Sequence, residues 1–458
     1  MGASIGDVRQ PKDDEQKTVF FNSTRYLILI ITNACLTFCL ANPLIFNFTV
    51  ICMEDVIPEE MRHANGTEAS HWMQSALKRN WLFSASAIGN LVGALPANLI
   101  LERYGTRAMF FLYGAVSALS TVVFPLVVES GFYPLIFGVR ILQGFGAAFT
   151  MPATGAICSS WSPLSEFSMY MALLSTHWQF AAIITMPTAG AFCVSPIGWK
   201  GAFYLLSAIT AVFFVLFALF YTNSPSEHAN VSALELSKIV KGREDESKDR
   251  SVPYLAICAT PAIVGCWIIS IGGNLAFHIT QQFGPTYLNK VFAISEAKRI
   301  LSVVKTFMGP LSDHSTCIGE RARIIVFSTL ARGLVAGSFL TMALSTNPTL
   351  SQACYTASIV FSGLNVISVI RCAQLVARQY MPFALSVNNV LSCVINMVLP
   401  SVVAAVTPNN TVDEWSRIFY GSIVIIIVTN AIFVFTARAE PAPWTRSDYK
   451  KNSTKAAV

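Results

Sequence analysis

Asn98-Leu99-Ile100-Leu101-Glu102-Arg103-Tyr104-Gly105-Thr106-Arg107 closes one long apolar run, residues 81–101, and leads into another, 109–128. A carboxylate, a glycine and two arginines stand in the few residues between the runs. A related stretch, Gly309-Pro310-Leu311-Ser312-Asp313, followed by Gly319, Arg321 and Arg323, lies 211 residues on, counted from Glu102 to Asp313. Each ends an apolar run with an acid and then offers small residues and arginines. A hinge repeated at about half the chain length marks two parallel halves, an architecture of transporters built around a midplane site.

Working outward, the flanking sequence reads as a series of membrane-length apolar runs. The first half holds 26–50, 81–101, 109–128, 133–158, 169–193 and 202–221. A hydrophilic stretch, 222–253, follows. Then come 254–280, a weak segment at 300–311, 324–344, 352–370, 380–406 and 418–437. Composition agrees, since 53% of the 458 residues are hydrophobic and 12% charged, against about 25% charged in soluble domains. Mean hydropathy is +0.55. Soluble domains are excluded. The expectation is an all-α integral membrane protein of twelve transmembrane helices in two six-helix bundles, 25–221 and 254–437. A tail at 1–24, a linker at 222–253 and a second tail at 438–458 complete it. The weak eighth span gives only about 18 Å of helix against a hydrocarbon core of about 30 Å, so it is expected to be short or distorted.

Basic residues set the orientation. With the N-terminus inside, roughly 20 of the 31 Lys and Arg fall on inner segments, and about eight on outer loops, the bias that membrane insertion follows. Both tails and the linker are therefore expected in the cytoplasm. The net charge of +6 reflects this bias and implies no nucleic-acid partner. Asn65 and Asn409 head glycosylation sequons in outer loops. Residues 1–24 contain Asp7, Asp13, Asp14 and Glu15 without an apolar stretch, so no cleaved signal peptide is expected. The eleven cysteines lie largely within apolar runs and form no CxxC pair, so neither a metal site nor a disulfide framework is expected.

The hinge resembles the loop motif of the major facilitator superfamily, roughly G-x-L-x-D-R-x-G-R-K, with Glu102 in place of the aspartate and Asn98 at the first glycine. By that resemblance Glu102, Arg103, Gly105 and Arg107, and in the second half Gly309 and Asp313, are gate residues. A carboxylate at a helix end facing loop arginines makes an ion-pair latch between parts that separate during transport. Within the superfamily, Arg140-Ile-Leu-Gln143-Gly144-Phe-Gly146, Thr150-Met-Pro152-Ala153 and Trp161-Ser162-Pro163 are similar to span four of the anion–cation symporter family. Asn47-Phe48-Thr49-Val50, Pro285-Thr286-Tyr287-Leu288, Glu414-Trp415, Phe419-Tyr420 and Pro443-Trp444 extend the resemblance along nearly the whole chain. The chain departs from that family at Ala147, Gly155 and Ile45, where many relatives carry glutamate, histidine and arginine. The resemblance therefore gives no warrant for proton drive or for glutamate specificity.

The charges within the spans are lopsided. None of the 25 acids falls in the middle of a span, whereas Arg140, Lys305 and Arg332 do, with Arg371 near an inner end. A charge in hydrocarbon costs at least about 2.5–3.5 kcal/mol, so such groups are expected to meet water or a ligand. An anionic substrate is the natural counterion, and arginine binds carboxylate or phosphate in bidentate fashion. Arg140 admits a second reading, a clamp onto backbone carbonyls between helices. Gln179, His278, Asn274 and Asn365 are polar groups that either line a cavity or bond between helices. His177 and His278 are candidates for proton coupling.

The function expected is secondary active transport of a small organic or inorganic anion by alternating access, in a monomer. It needs no catalytic residue, metal or cofactor beyond a coupling sodium ion or proton. The alternative is a non-transporting relative that acts as a sensor or partner-binding protein. Residence in the plasma membrane or in a vesicular or lysosomal membrane is compatible with the resemblance.

Overall fold

A computed structural model describes residues 23–57, 71–163, 166–240, 253–284, 286–288, 320–377 and 380–445. No strand occurs among the described residues. The first half builds α1 (Thr24–Thr49), α2 (Leu77–Leu101), α3 (Arg103–Glu129), α4 (Tyr133–Trp161), α5 (Phe167–Ser175), α6 (His177–Cys193) and α7 (Lys200–Phe220). A short amphipathic helix, α8 (Ala233–Val240), lies in the stretch between the halves. The second half builds α9 (Pro261–Phe283), α10 (Glu320–Leu344), α11 (Pro348–Ala377), α12 (Met381–Val406) and α13 (Val412–Thr436).

Nine of the described helices are long and apolar enough to cross a membrane. The helices α5 and α6 together supply the fifth expected span, and α11 the tenth. The expected eighth span, with Gly309, Asp313 and Lys305, lies outside the described residues.

Local sequence explains the boundaries. Ser75 caps the helix that carries α2 by accepting from the Lys78 amide, and Thr411 with Glu414 forms a reciprocal capping box at the start of α13. The helix Ala76–Glu129 would run unbroken but for Gly105, whose φ of 81° turns the chain within the first residues of α3. A side chain is disfavoured there twice over, because a Cβ would also stand 2.6 Å from Asn223 Nδ2.

Small residues and buried polar groups hold the bundle where the hydrophobic effect gives no preference for helix over lipid. A Cβ on Gly144 would sit 1.8 Å from the Ser86 carbonyl oxygen, so α4 and α2 touch backbone to backbone. Asn42 Nδ2 donates to Ser117 Oγ at 2.8 Å and to Thr210 Oγ1 at 3.1 Å, joining α1, α3 and α7 through a buried node.

At the end opposite the linker, Cys52 and Cys193 form a disulfide with a Cα–Cα distance of 5.8 Å. This corrects the cysteine expectation. The partners lie 141 residues apart, and they meet because the ends of α1 and α6 are neighbours in the bundle. Linear spacing carries no trace of that meeting. Nearby, Trp199 Nε1 donates to both oxygens of Asp55, at 2.9 and 3.1 Å.

Candidate functional site

A cavity of about 110 Å³ lies between the halves, with room for several waters. Its wall is built from helix faces at spacings of three, four and seven residues. From α1 come Leu40, Pro43, Leu44 and Asn47; from α2, Ser86, Ala87 and Asn90; from α4, Gly144 and Ala147. The opposite wall comes from His278, Gln281 and Gln282 on α9 and from Asn389, Ser392, Cys393 and Asn396 on α12. Trp178 and Phe277 meet edge to face at 5.6 Å across the divide between halves.

The lining described contains no Lys, Arg, Asp or Glu. Its polar character comes from amides, two serines and one imidazole. The halves are joined beside the cavity by Ser84 Oγ donating to the Met397 carbonyl at 2.8 Å and Asn80 Nδ2 donating to the Pro400 carbonyl at 3.3 Å. Phe83 and Phe283 meet edge to face at 5.6 Å in the same region. Nearer the linker end, Met381 of α12 joins a core cluster otherwise made by first-half residues such as Cys158 and Tyr170.

The sequence-derived candidates fall in different places. His278 lines the cavity, and its Nε2 shares a 2.9 Å hydrogen bond with Ser392 Oγ. Arg140 is 1% exposed and stands behind the wall. Its Nε donates to the Leu82 carbonyl at 3.2 Å; its Nη1 donates to the Pro43 carbonyl at 3.0 Å and to Gln143 Oε1 at 2.6 Å. The guanidinium also lies 4.6 Å from the centre of the Phe46 ring. Gln179 is half-buried, its amide donating to the Ser175 and Thr176 carbonyls. His177 is buried away from the cavity with Nδ1 on the Leu174 carbonyl. Arg332 is buried on α10, and its Nη2 donates to the Ile269 carbonyl of α9 at 2.6 Å. The side chains of Asn365 and Glu102 lie outside the described residues, as does Asn65. Asn409 is exposed, with Nδ2 donating to Glu414 Oε1 at 3.2 Å.

The hinge itself is docked. The Arg107 amide donates to Asn223 Oδ1 at 3.1 Å, and Arg107 Nη2 donates to the Ala218 carbonyl at the end of α7. Arg103 is exposed.

Reading from charges overlooked the cavity amides Asn90, Gln281, Gln282, Asn389 and Asn396. The usable signal was a polar stripe within an apolar span, Asn389-x-x-Ser392-x-x-x-Asn396, and the adjacent glutamines at the end of span seven.

A cavity edged with amides and an imidazole, set between two halves of a multi-span helical protein, is the arrangement of a membrane transporter. The chain belongs to the Major Facilitator Superfamily, whose family model matches residues 29–400. It is similar to sialin of Homo sapiens, 24% identical over 416 residues that cover 87% of this chain and 82% of that one. It is also similar to vesicular glutamate transporter 2.1 of Danio rerio, 24% identical over 475 residues, covering 96% and 78%. In fold it is similar to a bacterial homolog of the human lysosomal transporter Spinster in an inward-facing, unoccupied conformation. That likeness has a TM-score of 0.60 at 11% identity, over 91% of this chain and 98% of the other. The protein is thus a multi-pass integral membrane transporter and not an enzyme.

Proposed function

We propose that the protein carries a small organic or inorganic anion across its membrane by alternating access around the cavity between its halves. The observation that carries this reading is a charge imbalance. Arg140 and Arg332 are both buried, and among the described residues neither has a carboxylate within ion-pair distance. Arg140 sits behind the cavity wall, and Arg332 sits farther along α9, against Ile269 and Gly273. Arg140 holds the carbonyl of Pro43, a lining residue, and Arg332 holds α9, the helix that bears the lining glutamines. Two uncompensated cations in a low-dielectric interior give the cavity a positive potential that favours an anion. The carbonyls solvate the guanidinium groups without cancelling their charge. The names of sialin and the vesicular glutamate transporters support the anion class.

A cavity with contacts between the halves on either side of it suits a molecule whose halves rock about a central site. The charge bias supports a cytoplasmic linker. The disulfide then faces the extracellular or luminal side, where oxidation persists. A vesicular or lysosomal membrane fits that arrangement.

Uptake into proteoliposomes tests the reading. Radiolabelled glutamate, gluconate and inorganic phosphate are offered under imposed sodium, proton and voltage gradients. Accumulation of at least one anion above protein-free vesicles, driven by one of those gradients, is the expected result. Failure of all three anions in all gradients overturns transport of this class in favour of a non-transporting relative.

A further inference from the structure

The segment that follows α13 folds back across the linker end of the second half. Ala437, Ala442 and Trp444 are each at most 5% exposed. The Ala442 amide donates to the Val376 carbonyl at 3.1 Å, filling one of the acceptors that the end of α11 leaves open. Trp444 Nε1 donates to Thr260 Oγ1 at 2.8 Å, at the start of α9. Its ring lies 5.6 Å from that of Tyr380, the residue before α12. The Pro443-Trp444 pair, for which the cavity has no use, thus ties together the ends of three helices.

What the tail holds in place is the first turn of α12, and that turn has two faces. Tyr380, Phe383 and Ala384, at spacings of three and four, pack into the second-half cluster that contains Trp444. Met381 and Leu385, four apart, pack instead with the first-half cluster that holds Cys158 and Tyr170. Met381 is 5% exposed. Tyr380 makes no side-chain cap for α12, so the turn depends on its neighbours. Trp267 Nε1 donates to the Ala384 carbonyl at 3.1 Å, Tyr254 meets Phe383 edge to face at 5.0 Å, and Trp444 covers Tyr380. Two of these aromatic residues come from α9 and the segment before it; the third comes from beyond the last span.

We infer that Trp444 is a positioning residue for the gate at the linker end. By fixing the first turn of α12 it seats Met381 in the first half, and so holds the halves together at that end. This rests on the alternating movement proposed above and not on which anion moves. With the indole gone, the turn must be ordered each time Met381 seats. Fixing the backbone of one residue corresponds to roughly tenfold in an equilibrium constant. The balance then shifts toward the state open at the linker end.

Distances between paired spin labels test this on the full chain in lipid nanodiscs. The labels are carried by Ser237→Cys, exposed on α8, and Arg321→Cys, exposed at the start of α10. The exposed Cys258 is replaced by serine. Trp444→Ala is expected to raise the ratio of long to short distances about tenfold, and Met381→Ala, which removes the seat itself, to do the same. Thr260→Val takes away the acceptor of the indole N–H and should raise the ratio about threefold; it supplies the reading should Trp444→Ala fail to fold. Trp444→Phe keeps a ring against Tyr380 and should hold the ratio within about threefold of wild type. A tryptophan that only packs predicts a lower melting temperature and an unchanged ratio in Trp444→Ala, and that result overturns the proposal. If Met381→Ala shifts the ratio while Trp444→Ala and Thr260→Val leave it alone, the tail has no hold on the gate and alternating access stands. A single distance unchanged by every variant overturns the gate together with the movement on which it rests.

Discussion

Glu235 Oε1 accepts a hydrogen bond from the backbone amide of Arg25 at 2.9 Å, although the two residues lie 210 apart in the chain. Its second oxygen accepts from the Thr24 amide at 3.3 Å. The linker helix α8 thus supplies the carboxylate that closes the first turn of α1, where Ser23 makes no side-chain cap. The first amides of a helix have no partner within it and carry the positive end of the dipole, so a buried acid satisfies both needs. Arg25 then reaches Glu166 at 3.1 Å, and Thr24 Oγ1 donates to the Asn230 carbonyl at 2.8 Å. The connection between the halves is anchored on the first half.

Removing that cap is expected to loosen α1 and release α8. Glu235→Ala should destabilise the protein by about 1–2 kcal/mol, the usual worth of a helix cap. Thermal melting in detergent reads the loss, and limited proteolysis near residue 240 reads the release. Unchanged values in both would show that the contact contributes nothing.

The membrane class and the turn at Gly105 were legible because apolar length and turn chemistry act locally along the chain. Gly105 is a good case, since a glycine between two long runs has few uses besides a turn. The cavity was harder. Asn90 and Gln281 are unremarkable polar residues until the halves close on each other, and what distinguishes them is an address in space. Arg140 shows the converse difficulty. A lone arginine in a span demands partners, but sequence does not say whether a ligand or three oxygens of the fold will provide them. The disulfide was illegible for the same reason as the cavity.

The Cys52–Cys193 bridge joins positions 141 residues apart, and closing so long a loop contributes about 2–4 kcal/mol. Mass spectrometry after maleimide labelling of denatured protein should find two further labelled cysteines once reductant is added. Those two should be Cys52 and Cys193, and reduced protein should melt at a lower temperature. Full labelling without reductant would refute the bridge.

The α2–α4 contact predicts a steep dependence on side-chain size at Gly144. Alanine already places a methyl within 1.8 Å of the Ser86 carbonyl oxygen, so the helices must separate. Overpacking of this kind costs about 1–3 kcal/mol, and leucine should exceed alanine. Because Gly144 also lines the cavity, transport should fall with folded yield. Folded yield by size-exclusion chromatography should follow glycine, alanine, leucine in descending order. Equal yields would mean that α2 and α4 lie farther apart.

Arg140 offers the most demanding prediction, because the residue holds helices together and also supplies charge. Its Nε and Nη1 satisfy carbonyls on α2 and α1 from a position on α4. Arg140→Gln removes the charge and strands at least one carbonyl, at about 1–3 kcal/mol for each oxygen left unpaired. Arg140→Lys keeps the charge but loses the planar fork that reaches several acceptors at once. Melting temperature should therefore fall for both variants. Anion transport should separate them. If the field behind the wall draws the anion, the lysine variant keeps a KM within severalfold of wild type, per molecule at the surface. The glutamine variant should raise KM by about tenfold or more, the effect of roughly 1.4 kcal/mol of lost attraction. Uptake must be normalised to folded protein, since both variants will reach the membrane in smaller amounts. If the glutamine variant transports with an unchanged KM, Arg140 is a clamp alone, and Arg332 becomes the cation to remove next.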